Sequence, residues 1–135
     1  MIVPATRYRD CDAALDFLTG ALGFAEHAVY RDADGKILHV ELSQGGGYFM
    51  FGPEHRDSPF GRHMRSPAEA GGETTSVYVC VTNVAGHFAR AVAAGAEILM
   101  PLEEQPYGGQ SYSVRDPEGH LFTFGEYHPE GDHGG

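Results

Sequence analysis

Hydrophobic and polar residues alternate along several short stretches of the chain, the pattern of strands with one buried face. In the first part, the alternation predicts strands at 2–8, 26–32, 36–43 and 48–52. After the first strand, Asp10 is a suitable N-cap, and Leu15, Leu18 and Leu22 share one face of a predicted helix that Gly23 ends. Residues 1–53 therefore predict a β-α-β-β-β module.

The same order of elements begins again after a segment without periodicity. Residues 54–73 are rich in Pro, Gly, Ser, His and charge, which predicts a linker or mobile loop. Strands then follow at 76–82 and 96–100, and a hairpin at 108–127 turns at Asp116-Pro117-Glu118-Gly119. Between the first two, Asn83 is a possible helix cap, Gly95 a helix end, and the predicted buried stripe is Val84, Phe88 and Val92. Residues 74–127 predict a second module, and 128–135 a flexible tail.

An offset of 73 residues superimposes the two patterns, pairing Val3 with Ser76 and Met50 with Thr123. The repeat rests on spacing, because residue identity between the halves is low. We expect an α+β fold in a single domain of residues 1–135. Its two modules carry mixed, largely antiparallel sheets that form a cup, with the helices on the outer face.

Alternation within the strands also sorts the side chains between two faces. Leu38, Val40 and Leu42 are predicted to lie under a helix, as are the valines at 77, 79 and 81. The opposite, open face receives a polar set, which we interpret as the lining of a ligand cavity: Arg7, His39, Glu41, Tyr48, Tyr78, Cys80, Ser113, Arg115 and Thr123. An exposed sheet face or a dimer contact would use the same residue types, and this alternative stays open.

Charge and composition narrow the possible partners. The net charge is -10, from 19 acidic and 9 basic residues, so nucleic acid and anionic membranes are poor partners. No apolar run reaches the length of a membrane span and the first residues are unlike a signal peptide, so we expect a cytoplasmic protein.

Two cysteines without CxxC spacing indicate neither a disulfide framework nor a zinc site. Cys11, in the first helical turn, is expected to be unreactive.

Several motifs of the chain resemble the vicinal oxygen chelate superfamily, which includes glyoxalase I, bleomycin-resistance proteins and extradiol dioxygenases. The resemblance spans about residues 3–127. It is carried by Arg7-Tyr8-Arg9-Asp10, Leu22-Gly23-Phe24, Ala94-Gly95-Ala96 and Val114-Arg115-Asp116-Pro117-Glu118-Gly119-His120. It implies paired β-α-β-β-β modules, each sheet half of a cup, usually in a homodimer that binds a small molecule.

Metal-dependent members of that superfamily take His and Glu ligands from the first and last strands of each module. Carried over by position, those sites fall here near Val3, Met50, Ser76 and Thr123. Val has no donor atom, Met offers a soft thioether, and neutral hydroxyls bind divalent ions weakly. This departure from the family's pattern predicts a site with no metal residues and no cofactor.

The sequence leads to one function and two alternatives. We expect a metal-free binding protein of the glyoxalase/bleomycin-resistance kind, as in antibiotic resistance, holding an aromatic or polar natural product. Its predicted ligand-binding residues are Arg7, His39, Glu41, Tyr48, Met50, Ser76, Tyr78, Ser113, Arg115 and Thr123. One alternative is a lyase, isomerase or dioxygenase that uses His39 and Glu41 as an acid-base pair or with a divalent metal at a displaced site, so enzyme activity is left open. The other is a sheet face used only for assembly.

Overall fold

The computed structural model describes residues 1–55 and 57–131 and contains two four-stranded sheets. The first module runs β1 (Ala5–Tyr8), α1 (Cys11–Gly20), β2 (Ala25–Arg31), β3 (Ile37–Gln44) and β4 (Gly47–Pro53). Its strand order is β1-β4-β3-β2, with β1 parallel to β4 and the other pairs antiparallel. The predicted β-α-β-β-β order is confirmed.

The second module repeats the same topology. It comprises β5 (Val77–Cys80), α3 (Val84–Ala93), β6 (Glu97–Glu104), β7 (Gln110–Arg115) and β8 (Leu121–Gly125), in the order β5-β8-β7-β6. Register follows the 73-residue offset, since Ala5 pairs with Met50 in one sheet and Tyr78 with Thr123 in the other. The α+β class predicted from the sequence is thus correct.

Local chemistry fixes where the two long helices begin. The side chain of Asp10 accepts a hydrogen bond from Ala13 N, and that of Asn83 accepts one from Gly86 N, as N-caps do. Neither helix continues to the glycine predicted to end it: α1 ends at Gly20 and α3 at Ala93. Gly23 and Gly95 then adopt positive φ angles of 75° and 81° in the turns that follow.

Two residues predicted to be buried are exposed instead. Leu38 is 48% exposed, because a register irregularity between Tyr30 and Arg31 puts Ile37 in the core in its place. Val92 is 50% exposed, and Ala91, fully buried, takes the corresponding position of α3.

The segment between the modules has more structure than the predicted linker. It contains a 3₁₀ helix at Gly61–His63 and a short helix α2 at Pro67–Ala70. Ser66 caps α2 in a reciprocal arrangement with Glu69. Residues 132–135 of the predicted tail lie outside the described residues, and no described helix is long and apolar enough to cross a membrane.

One hydrophobic core connects both modules. Phe24, which follows α1, packs edge-on against Phe122 and Phe124 of the second sheet, and Phe49 of the first sheet packs against Phe122. Helix α1 lies on β3 and β4, and α3 on β6, β7 and β8. The helix-facing sides of the two sheets therefore meet, and the open faces are their reverse sides.

Candidate functional site

The open face of the first sheet carries two adjoining hollows that share Met50. One, of about 220 Å³, is lined by Met1, Val3, His27, Glu41, Tyr48 and Met50. The other, of about 170 Å³, is lined by Ala5, Thr6, Arg7, His39, Met50, Phe51, Gly52, Phe60 and Met64. Five residues predicted to bind ligand line these two hollows: Arg7, His39, Glu41, Tyr48 and Met50.

The strand register explains how these five come together. Glu41 and Met50 are cross-strand neighbours, and Met50 also pairs with Ala5 on β1. His39 and Glu41 lie two residues apart on β3, and His39 Nε2 is 3.1 Å from Glu41 Oε2. Their side chains are 37% and 30% exposed, so water screens the pair. The geometry suits a hydrogen-bonded donor and acceptor presented to a ligand.

Arg7 lies at the second hollow, with its side chain already in contact with protein atoms. Its guanidinium donates to Pro53 O at 3.4 Å, and its Cζ lies 5.8 Å from the ring centroid of Phe60. The long distance to Pro53 O makes this a weak hydrogen bond. Arg7 therefore keeps donors available for an anionic or carbonyl oxygen.

The open face of the second sheet brings together Tyr78, Ser113 and Thr123. Tyr78 pairs with Thr123 between strands, and Ser113 Oγ lies 2.6 Å from Thr123 Oγ1. The Tyr78 hydroxyl donates to Tyr127 O at 2.8 Å, and burial raises its pKa to about 12, so this group stays protonated. Every residue lining the two hollows of the first sheet lies at or before Met64, so this second set forms a separate surface.

Two residues predicted to bind ligand, Arg115 and Ser76, line neither hollow of the first sheet. The Arg115 guanidinium donates to Glu97 Oε2 at 2.6 Å across neighbouring strands, so Arg115 is paired with Glu97 rather than with Asp116. Asp116 instead accepts hydrogen bonds from the N-H groups of Glu118 and His120, as a turn residue does. Ser76 is exposed immediately before β5.

The positions corresponding to metal ligands do not fit a divalent ion. Val3 and Met50 share a hollow with one histidine and one glutamate, His27 and Glu41. The Thr123 hydroxyl is hydrogen-bonded to Ser113. Within residues 1–55 and 57–131, no three His, Cys, Asp or Glu side chains converge as metal ligands would.

Sequence reasoning missed His27, Phe60 and Met64 as lining residues. His27 lies at a register irregularity between Glu26 and Ala28, where simple alternation does not assign a face, and its ring packs edge-on against Tyr48. Phe60 and Met64 belong to the segment predicted as a linker. Of these, only the aromatic and thioether character of Phe60 and Met64 signals a binding surface.

Cys11 is buried at the start of α1, where burial and the nearby acidic residues raise the pKa of its thiol to about 11. A thiol with this pKa stays protonated near neutral pH, so it is a poor nucleophile. Cys80 also has a raised pKa, mainly because of burial.

Sequence comparison places this chain among known proteins. A family model described as the Glyoxalase/Bleomycin resistance protein/Dioxygenase superfamily matches residues 4–124. The uncharacterized protein Rv0887c of Mycobacterium tuberculosis is 32% identical over 117 residues, which are 87% of this chain and 68% of that protein. The uncharacterized protein Mb0911c of Mycobacterium bovis has the same identity over 76% of its length.

Structure comparison gives further similar proteins. TioX from Micromonospora sp. ML1 has a TM-score of 0.73 and 37% identity, with 94% of this chain and 98% of TioX covered. The fosfomycin resistance protein FosX of Listeria monocytogenes has a TM-score of 0.66 and 14% identity, over 96% of this chain and 94% of FosX. At that identity, the likeness to FosX concerns the fold alone.

Proposed function

Because this chain belongs to the Glyoxalase/Bleomycin resistance protein/Dioxygenase superfamily, we propose that it is a small-molecule binding protein that holds an aromatic or polar compound on its open sheet face. The observation that carries the proposal is the pair of hollows sharing Met50. They combine apolar walls with a few polar groups, Arg7, His39 and Glu41, the usual composition of ligand sites. The corresponding role is capture of a toxic compound in the cytoplasm, as in antibiotic resistance.

A second copy of the chain completes this site in our proposal. The two hollows lie on the open face of the first sheet, whereas small-molecule sites enclose most of the ligand surface. The second sheet of the same chain cannot cover them, because the helix-facing sides of both sheets already meet in the core. In a two-fold dimer, the partner's second sheet lies over the first, and the reciprocal cup forms at the same time.

Ligand binding is tested with bleomycin and a panel of planar aromatic natural products, by calorimetry. Tyr48→Ala removes a half-buried ring of the first hollow, and we expect the Kd to rise about 10-fold, or ~1.4 kcal/mol. Tyr48→Phe, which keeps the ring, and Val92→Ala, on the exposed side of α3, serve as controls with unchanged Kd. Equal affinity of Tyr48→Ala and wild type for every bound compound would contradict this site.

The shared cup is tested by mixing two variants that each weaken ligand binding. Tyr48→Ala damages the first-sheet face and Tyr78→Ala the second-sheet face, so each homodimer has two defective cups. A mixed dimer has one intact cup, and equal mixing followed by subunit exchange restores about a quarter of the sites. No restoration, with both variants folded and dimeric, would show that each chain binds ligand by itself.

The hydrogen bond between His39 and Glu41 supports a second candidate, an acid-base enzyme. The measurement is turnover of a hemithioacetal before and after addition of Ni²⁺, Zn²⁺, Mn²⁺ or Fe²⁺, together with metal analysis of untagged protein. Stoichiometric metal with turnover that His39→Gln abolishes would favour the enzyme over the binding protein.

A further inference from the structure

A larger cavity lies at the seam between the two modules and shares Ala5, Thr6 and Met64 with the second hollow of the open face. It has a volume of about 380 Å³, within the range of small-molecule sites. Its walls come from the start of β1, from residues between His63 and Thr75, and from Val77, Leu121 and Phe122. Both modules and the segment joining them therefore contribute to this one cavity.

Two buried aromatic rings back the seam cavity. Phe49 and Phe122 meet edge to face, with ring centroids 5.5 Å apart and planes at 81°. These rings are 2% and 0% exposed, so their positions are fixed by the core around them. Val77 and Leu121 are only partly buried and supply apolar surface that a ligand can reach. A flat ring of a ligand can pack on these two side chains without any rearrangement of the core.

The polar end of the seam cavity is the pair His120 and Glu73. His120 Nδ1 lies 2.7 Å from Glu73 Oε2, and His120 Nε2 lies 3.1 Å from Arg7 O. A carbonyl and a carboxylate oxygen both accept hydrogen bonds, so the pair holds one extra proton, either on the imidazole or on Glu73. In both cases the pair is neutral overall.

Glu73 retains one acceptor atom for a ligand. Its Oε2 is engaged by His120, whereas its Oε1 makes no hydrogen bond to any residue that the structure describes. The Glu73 side chain is 14% exposed. A hydrogen-bond donor placed in the seam cavity can bond to this oxygen, which has no partner among the described residues.

The surrounding charges select the kind of donor. Because Glu73 and His120 neutralise each other, an ammonium group would gain little attraction and would lie near the guanidinium of Arg65 and the ring of His63. A carboxylate has no hydrogen to donate to Glu73 Oε1. We propose that the seam cavity is a second binding site, for a small neutral phenol whose hydroxyl donates to Glu73 while its ring packs on Val77 and Leu121.

Four related probes test the proposed chemistry: p-cresol, 4-methylanisole, benzylamine and benzoate. They are titrated into the full chain while NMR follows the imidazole signals of His120. We expect p-cresol to shift these signals and to bind about 10-fold more tightly than 4-methylanisole, which lacks the donor. Equal affinity of these two, tighter binding of benzylamine or benzoate, or no shift of the His120 signals would each overturn the proposal.

Two substitutions on α2 locate the probe. Ala70 lines the seam cavity and Ala68 does not, although both are exposed on the same short helix. Ala70→Trp fills the cavity, so p-cresol affinity should fall at least 10-fold relative to Ala68→Trp. Equal affinity of these variants would place p-cresol elsewhere and overturn the proposal.

Two further variants separate the seam cavity from the open face. Tyr48→Ala should leave p-cresol binding unchanged, whether or not the proposed cup binds its own ligand. Glu73→Gln keeps the side-chain shape, and we expect it to reduce the preference for p-cresol over 4-methylanisole. A preference unaltered by Glu73→Gln would refute the role of this carboxylate.

Discussion

Removing the hydroxyl of Tyr8 should weaken the contact between the two modules. Tyr8 and Asp116 are 1% and 3% exposed, and the Tyr8 hydroxyl donates to Asp116 Oδ2. Asp116 Oδ1 accepts from the N-H groups of Glu118 and His120, at 3.0 and 2.9 Å. In Tyr8→Phe, Oδ2 therefore loses the one partner it has among the described residues, while the carboxyl stays buried.

The magnitude follows from the buried carboxyl. A hydrogen bond to a charged group contributes about 1.5–3 kcal/mol, so we expect Tyr8→Phe to lower the free energy of unfolding by about 2 kcal/mol. For a chain of this size, that loss lowers the Tm by about 6–10 °C. Urea denaturation at constant m-value measures it directly.

The loss should also depend on pH. Burial raises the pKa of Asp116, and the hydrogen bond from Tyr8 opposes that rise. Without this bond the folded-state pKa rises further, and a raised carboxyl pKa costs stability once the group ionises. The effect of Tyr8→Phe should therefore be largest near pH 7 and shrink as the pH falls through the folded-state pKa of Asp116.

The control is Tyr30→Phe, at a side chain 56% exposed, which should change stability by less than about 0.5 kcal/mol. If Tyr8→Phe unfolds at the same urea concentration as wild type, the Tyr8 and Asp116 hydrogen bond does not stabilise the contact between modules. If Tyr8→Phe loses the same free energy of unfolding at pH 4 and at pH 7, the hydrogen bond is not made to an ionised Asp116.

Two other perturbations probe the same contact. Gly45→Ala would press a Cβ onto the carbonyl of Cys80 at a φ of 61°, and we expect urea denaturation to show a free energy of unfolding lower by about 3 kcal/mol. Gly46→Ala, whose Cβ meets nothing, should lower it by about 1 kcal/mol. Equal losses in the two variants would show that the clash is not the cause. Burial lowers the pKa of His87, whose Nε2 lies 2.8 Å from Gln44 Oε1, so wild-type stability should fall as the pH drops below about 6.5. His87→Gln should remove this fall in stability below about pH 6.5, whereas His63→Gln, at an exposed ring, should keep it. If His87→Gln keeps the fall, another group takes up the proton.

The elements of this fold could be predicted because their signals are local. Asp10 and Asn83 cap helices with their own side chains, and the Asp116–Gly119 turn forms its hydrogen bonds within five residues. The failures have tertiary causes. Leu38 is exposed because the pairing between β2 and β3 shifts by one residue, and Val92 because packing of α3 on its sheet sets which residue is buried.

The sequence could predict which site residues lie close together only when they belong to one strand or to paired strands. His39 and Glu41 share a face by alternation, and the 73-residue repeat relates Met50 to Thr123. The approach of Glu73 to His120 spans 47 residues and depends on how the segment between modules folds. No periodicity contains that information, so the pair lay outside the predicted site.

The common core constrains where this protein can hold a ligand. Since the helix-facing sides of the two sheets meet through Phe49 and Phe122, each open face is available to solvent or to another chain. Ala5 with Met50 and Tyr78 with Thr123 occupy equivalent registers, so a two-fold partner can set one face over the other in two identical cups. The seam cavity requires no such partner, because both modules of one chain line it. A monomeric variant should therefore lose binding in the proposed cup and keep binding of p-cresol at the seam.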